Sequence, residues 1–200
     1  MEPCWLTPER RLDEAVLVGR LPEGLVPDEA AFEVLWALHP AEYHLIKMHG
    51  RQVRTPRWQQ AYGADYHYTG TTNRGLPVPA MLEPLHAWAR AQIDERLNGL
   101  LLNWYDAEHR QYIGKHRDSI ANMLAGAPIV TISLGAERTF RLRPWRKTGD
   151  PIVRDFAATD GSLFVMPWDT NRTWTHEVPH SAKNEGRRIS LTMRAFTLAA

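Results

Sequence analysis

The sequence predicts a mostly β fold of the jelly-roll type, with helices flanking it on the N-terminal side. From Leu100 onward the chain breaks into eight short strand-like runs, at 100–105, 111–116, 128–134, 138–143, 151–156, 162–166, 173–178 and 187–197. Glycine or proline punctuates the gaps, at Gly135, Pro144, Gly149, Pro151, Gly161, Pro167 and Gly186. Such spacing suits antiparallel strands joined by turns rather than a parallel sheet with crossover helices. Before Leu100, two segments carry apolar residues at helical intervals, and two such helices can cover one face of a sheet.

Taken in order, residues 1–26 contain Pro3, Pro8 and Pro22 and read as an arm with one short strand, LDEAVLVG. A helix starts at Pro27-Asp28 with Ala31, Phe32, Leu35, Trp36 and Leu38 on its apolar side, and His39-Pro40 ends it. The run HLIKMHGRQVRT, residues 44–55, reads as a hairpin turning at His49-Gly50. In the next stretch Trp58, Tyr62, Tyr66 and Tyr68 fall within eleven residues, and Tyr66 and Tyr68 share a face if extended. Two readings are open for them, a piece of the core or a surface on which a flat base stacks. Pro77–Leu97 forms a longer helix with Met81, Leu85, Trp88, Ile93 and Leu97 apolar, and Pro84 either kinks it or delays its start. Neither repeats nor linkers interrupt the chain. It divides into an N-terminal part, 1–99, packed on a core, 100–200, within one structural domain.

Composition narrows the chemistry. Hydrophobic residues make up 44% and charged ones 24%, ordinary values for a globular protein. No apolar run reaches the roughly 18 residues of a spanning helix, and no secretory h-region opens the chain. The expected compartment is the cytoplasm, or the nucleus in a eukaryote, with no membrane partner and a monomeric state. The single Cys4 excludes an intramolecular disulfide framework and a cysteine-rich zinc site, so any metal must be held by His and carboxylate. A net charge of +1 does not by itself advertise nucleic-acid binding. Locally, Arg138, Arg141, Arg143, Arg146 and Lys147 fall within ten residues around Trp145, as either a solvated strand face or a phosphate-contacting rim.

The stretch from Leu100 to Ser119 reads as a hairpin whose second strand ends in His116-Arg117-Asp118. Positions i and i+2 of an extended segment share a face, so this imidazole and carboxylate can supply adjacent metal ligands. The pair alone is a weak signal. His176, in the strand-like run WTHEV, offers a third ligand, and two histidines with one carboxylate form the facial triad of non-haem iron(II) oxygenases. In RRISLTMR, Arg188, Ser190, Thr192 and Arg194 alternate with Ile189, Leu191 and Met193, which makes one face polar and cationic. Inward-facing arginines are costly unless matched by anions. A dicarboxylate such as 2-oxoglutarate offers one to each, whereas pairing with surface Asp or Glu is the plainer reading of either arginine singly. Asn103 and Tyr105, again i and i+2, can add hydrogen bonds from the opening strand.

These residues resemble the AlkB family of iron(II)- and 2-oxoglutarate-dependent nucleic-acid dealkylases. The likeness runs through Asn103-x-Tyr105, His116-x-Asp118, PIVTISLG from Pro128, Arg138 with Phe140, GSLFVM from Gly161, Trp174-x-His176, and Arg188 to Arg194 with Leu191 and Thr192. It extends back to PRWQQAYG at Pro56 and covers about residues 48 to 197. The resemblance implies a double-stranded β-helix with an N-terminal nucleotide-recognition lid. It makes His116, Asp118 and His176 the Fe(II) ligands and catalytic centre, and Asn103, Tyr105, Arg188, Ser190 and Arg194 the 2-oxoglutarate contacts. Ser190 stands where the family often has Asn. The implied reaction consumes O2, converts 2-oxoglutarate to succinate and carbon dioxide, and hydroxylates an N-alkyl carbon so that the adduct releases an aldehyde. Tyr66, Tyr68, His49, Arg51, Arg57 and Ile120 are the implied substrate contacts, on alkylated DNA, single-stranded or duplex, and possibly RNA. Access to a base in a strand requires flipping it out.

Three departures bear on substrate. Ile120 stands where repair members commonly carry an acid facing a cationic lesion, which weakens the expectation of a positively charged 1-methyladenine or 3-methylcytosine, or shifts preference towards neutral etheno adducts. His49-Gly50-Arg51 occupies the place of a base-stack wedge, where histidine is a poorer wedge than phenylalanine. The loop from His180 to Lys183 is less basic than in duplex-gripping members. Together they favour single-stranded DNA or RNA as well as duplex. The rival readings are the same chemistry on RNA or a protein side chain, and a non-catalytic nucleic-acid-binding module. The last requires a lost ligand, and none is lost.

Overall fold

The computed structural model describes the chain except residues 12–13, 49, 69, 147–151 and 198–200 and the side chains of Met48 and Tyr68. Its largest element is an eight-stranded sheet. In spatial order this runs β1 (Glu2–Trp5), β2 (Ala15–Arg20), β14 (Ser162–Met166), β11 (Ile129–Gly135), β16 (Arg187–Arg194), β9 (Gly99–Asp106), β5 (Trp58–Tyr62) and β8 (Gly75–Leu76). Neighbours pair antiparallel except β5 with β8. A second sheet orders β10 (Ile113–His116), β15 (Trp174–Val178), β12 (Arg138–Pro144) and β13 (Arg154–Ala158). Two hairpins complete the β structure, β3 (Leu45–Met48) with β4 (Arg51–Arg54) and β6 (Tyr66–Tyr68) with β7 (Thr71–Asn73).

The alternation read in the last strand organises the packing. Ile189, Leu191 and Met193 of β16 join Leu100, Leu102 and Trp104 of β9 and Val130, Ile132 and Leu134 of β11 in one core. Helices α1 (Glu29–Trp36) and α2 (Glu83–Gln92) cover that face with Leu35, Trp36, Leu85 and Ala89. The Trp104 indole N–H donates to the Leu35 carbonyl at 3.0 Å, so this fully buried ring leaves no unpaired donor and ties β9 to α1. A second core fills the space between the sheets, with Phe164 and Ile129 from one and Phe140, Leu142 and Trp174 from the other.

Local chemistry explains the helix limits. Asp28 caps α1 by accepting from the Ala31 N–H at 2.8 Å. Pro84 sits in the first turn of α2, where a missing N–H goes unnoticed, so it sets the start of the helix rather than kinking it. The helix is therefore shorter than Pro77–Leu97, with one 3-10 turn, Ala80–Leu82, ahead of it. A third helix, α3 (Trp168–Thr173), has no counterpart in the sequence reading because six residues are too few to show helical periodicity. Gly135 closes β11 at φ +81°, and a side chain there would meet the Arg187 carbonyl at 2.6 Å. No helix among the described residues is long and apolar enough to cross a membrane.

Within the basic cluster, Arg141, Arg143 and Arg146 keep the solvated strand face and loop, and Arg138 departs from both expectations. Arg138 is 2% exposed and donates to the carbonyls of Glu137, Glu185 and Gly186. Arg141 pairs with Asp155 and Arg143 with Glu177. Arg138 thus holds the approach to β16, and two of its neighbours are neutralised across strands. Lys147 lies outside the described residues.

Candidate active site

Strand register brings the two histidines together. His116, at the end of β10, is the cross-strand partner of His176 on β15, and their ring centroids are 4.2 Å apart. Asp118 lies two residues beyond β10, with Oδ1 at 3.6 Å from His116 Nε2 and 3.8 Å from His176 Nε2. One ligand atom from each lies within 4.8 Å of the others, a set that can hold a metal ion. The Nδ1 of His116 donates to the Gly114 carbonyl at 2.9 Å, which fixes the ring and leaves Nε2 as the lone pair that could face a metal.

The carboxylate is held from outside the triad. Asp118 Oδ2 accepts from Arg194 Nε at 2.9 Å and Nη2 at 2.6 Å, and Oδ1 accepts from the Tyr66 hydroxyl at 3.2 Å. Burial alone would raise its pKa, but Arg194 and the two histidines outweigh burial and hold it well below the usual carboxylate range. Burial, together with His116 nearby, pushes His176 down to about 3, which keeps it in the neutral form a metal requires. Tyr66→Phe is expected to lower unfolding stability by about 1–3 kcal/mol, read by urea denaturation, because it removes a buried donor from a charged acceptor. A change under about 0.5 kcal/mol would mean that Arg194 alone suffices.

The triad opens on a cavity of about 720 Å³, whose floor is the polar face of β16 with its neighbours. Register sets Arg188 beside Tyr105 and Ser190 beside Asn103 on β9, with Ser133 on the other flank of Ser190. Arg188 is 0% exposed, donates through Nε to Ser133 Oγ at 2.8 Å, and lies over the Tyr105 ring at 5.1 Å. Burial lowers its pKa to about 10, still cationic at neutral pH. Its Nη1 and the Nη1 of Arg194 are buried without a hydrogen-bond partner. Two unsatisfied cationic donors in one cavity fit the carboxylates of a dicarboxylate ligand, as the His–Asp–His set fits a divalent iron. The charge balance points the same way. Arg54, Arg57, Lys115, Arg117, Arg188 and Arg194 line the cavity against Asp118 and Glu177, although the whole chain carries only +1.

The remaining expected site residues divide between the cavity and its surroundings. Asn103 and Tyr105 line the cavity, and Asn103 Oδ1 accepts from buried Arg57 Nε at 2.7 Å. Tyr66 lines it too, with its ring under Arg194 at 4.6 Å. Arg51 is exposed on β4, whereas its neighbours Val53 and Arg54 reach the cavity. Ile120, 37% exposed, lines an adjoining groove with Trp145 and Trp174 instead of the cavity. His49 and the Tyr68 side chain lie outside the described residues. Residues the sequence reading passed over include Thr131 and Ser133, legible as the polar i, i+2 pair in PIVTISLG. Asn171 of α3, whose amide bonds Asp118, left no local signal.

A His–Asp–His site on the polar face of a two-sheet jelly roll, beside a cationic floor, defines a metal-dependent oxygenase architecture. The chain belongs to the 2OG-Fe(II) oxygenase superfamily, whose family profile it matches over residues 31–194. Among its relatives, the "DNA oxidative demethylase ALKBH2" of Homo sapiens is 30% identical over 161 residues, covering 76% of this chain and 61% of that protein. The ALKBH2 of Arabidopsis thaliana is 34% identical over 177 residues, covering 74% and 56%. The "Alpha-ketoglutarate-dependent dioxygenase alkB homolog 3" of Rattus norvegicus is 30% identical over 151 residues, covering 70% and 50%. The chain thus spans less than two thirds of each of these relatives, and they bear out the AlkB resemblance read from its residues. The solved structure of OsALKBH1 superposes with a TM-score of 0.54 at 12% identity, covering 90% of this chain and 97% of that one, a likeness of fold.

Proposed function

We propose that this chain is an iron(II)- and 2-oxoglutarate-dependent dioxygenase that oxidatively removes alkyl groups from nucleobases, in repair of alkylated nucleic acid. The observation that carries the reading is the His116, Asp118 and His176 set, with its carboxylate buried, sharing one cavity with two unpartnered guanidinium nitrogens, Arg188 Nη1 and Arg194 Nη1. His116 Nε2, His176 Nε2 and Asp118 Oδ1 would hold the iron. Arg188 and Arg194 would bind the carboxylates of 2-oxoglutarate, with Asn103, Tyr105 and Ser190 adding hydrogen bonds. Iron, 2-oxoglutarate and O2 together supply the oxidation of the N-alkyl carbon. Arg194 holds Asp118 as well, so cosubstrate binding and ligand orientation share one residue. The exposed Arg54, Lys115 and Arg117 of its lining draw an anionic strand to the cavity. The hairpin carrying His49 and Arg51, with Tyr66 and Tyr68, would serve as the nucleotide lid.

On this reading residues 1–99 supply the lid and 100–200 the catalytic core, although β1, β2, β5 and β8 extend the same large sheet. The chain would work as a monomer, in the cytoplasm or a eukaryotic nucleus.

The test is succinate formation with iron(II), ascorbate and 2-oxoglutarate, offering oligonucleotides with methylated or etheno bases beside unmodified ones. Lesion loss matched to succinate is the expected result. Succinate without lesion loss would move the substrate to RNA or a protein side chain. Absence of succinate from metal-loaded protein would overturn the enzymatic reading.

A further inference from the structure

We infer that Asn171 is the positioning residue that sets the carboxylate ligand Asp118 against His176. This rests on the metal-site reading above. The β10–β15 ladder fixes His116 and His176 relative to each other, because they are partners in register. Asp118 has no such support, since it lies past the end of β10. Its backbone groups find one partner instead. Asn171 Oδ1 accepts from the Asp118 N–H at 3.0 Å, and Asn171 Nδ2 donates to the Asp118 carbonyl at 3.2 Å.

The origin of that amide matters. Asn171 is 1% exposed on α3, and the chain runs from α3 straight into β15, reaching His176 five residues later. Two ligands far apart in sequence are therefore joined through one carboxamide, which has the donor and the acceptor this double bond needs. A carboxylate there would face the Asp118 carbonyl with an acceptor. A neighbouring contact reinforces the junction: Arg117, between the two ligands of the His-x-Asp pair, donates to the Arg172 carbonyl at 2.7 Å and lies over Trp145 at 4.2 Å.

The experiment is titration of the metal-free full chain with Co(II), read by visible absorption, so that no turnover is required. Asn171→Ala and Asn171→Asp are expected to weaken Co(II) binding about 10-fold or more and to change the ligand-field bands. Thr170→Ala is the control. Thr170 is buried on the same helix and donates to the Ala15 carbonyl at 2.8 Å, so its loss removes an anchor of α3 other than the Asn171–Asp118 pair. It should lower urea stability while leaving Co(II) affinity and spectrum unchanged. Asn171 variants with wild-type affinity and spectrum would overturn the inference, as would an equal loss of affinity in Thr170→Ala. If Asn171→Ala does not fold, the near-isosteric Asn171→Asp decides. A wild-type chain that fails to bind Co(II) would overturn the metal-site reading, and this inference with it.

Discussion

Asp118→Ala is expected to abolish divalent-metal binding and to reduce 2-oxoglutarate-dependent succinate formation to background, and to destabilise the fold at the same time. The two losses have separate causes. Metal binding fails because a triad ligand is gone. Stability falls because the substitution leaves Arg194 buried without its counter-charge, and breaking such a pair from one side costs about 3–5 kcal/mol. The Tyr66 hydroxyl loses its acceptor as well. His176→Ala separates the causes. It deletes a ligand that burial already keeps neutral, so it should lose metal equally while destabilising the metal-free protein less. Co(II) titration and urea unfolding of both variants provide the check. Equal stability losses would mean that the Asp118–Arg194 pair contributes nothing special, and retained metal binding in either would remove that residue from the site.

The second large effect concerns Arg188, and its sign differs between two measurements. Arg188 is buried beside a serine hydroxyl and a tyrosine ring, and no carboxylate pairs with it among the described residues. An unpaired interior cation is a burden on the unliganded fold, relieved when an anion arrives. Arg188→Met keeps much of the side-chain volume and removes the charge. The metal-free, cosubstrate-free variant is therefore expected to be as stable as wild type or more so in urea. Its 2-oxoglutarate requirement should rise about 100-fold, the loss of about 2.7 kcal/mol from a charge-assisted contact. In wild type, 2-oxoglutarate with Mn(II) should raise the unfolding midpoint, and in Arg188→Met that rise should largely disappear. An unchanged cosubstrate requirement would take Arg188 out of the site. A marked fall in unliganded stability would show that its contacts with Ser133 and Tyr105 outweigh the cost of its burial.

These expectations show where function was legible in the chain. Strand alternation is local, so Arg188, Ser190, Thr192 and Arg194 could be put on one face, and Asn103 with Tyr105 on another, from spacing alone. The arrangement of their partners is not local. Arg194 reaches Asp118 across 76 residues and Tyr66 reaches it across 52. Asn171 reaches it across 53. No periodicity encodes such pairs, because each depends on how separate strands and a six-residue helix come to rest. The same reason hides Arg138, whose basic neighbours suggest a surface but whose guanidinium satisfies buried carbonyls.

The sequence by itself therefore determined the jelly-roll class, the helices on one side, the ligand types and the cationic face, since each follows from side-chain period, turn chemistry or residue identity. Only the tertiary structure decided that His116 and His176 meet in register, that Asp118 is gripped by Arg194, Tyr66 and Asn171, and that Ile120 turns to a neighbouring groove. Those outcomes are set by long-range packing of the two sheets, where one side chain's position depends on partners the local sequence does not contain.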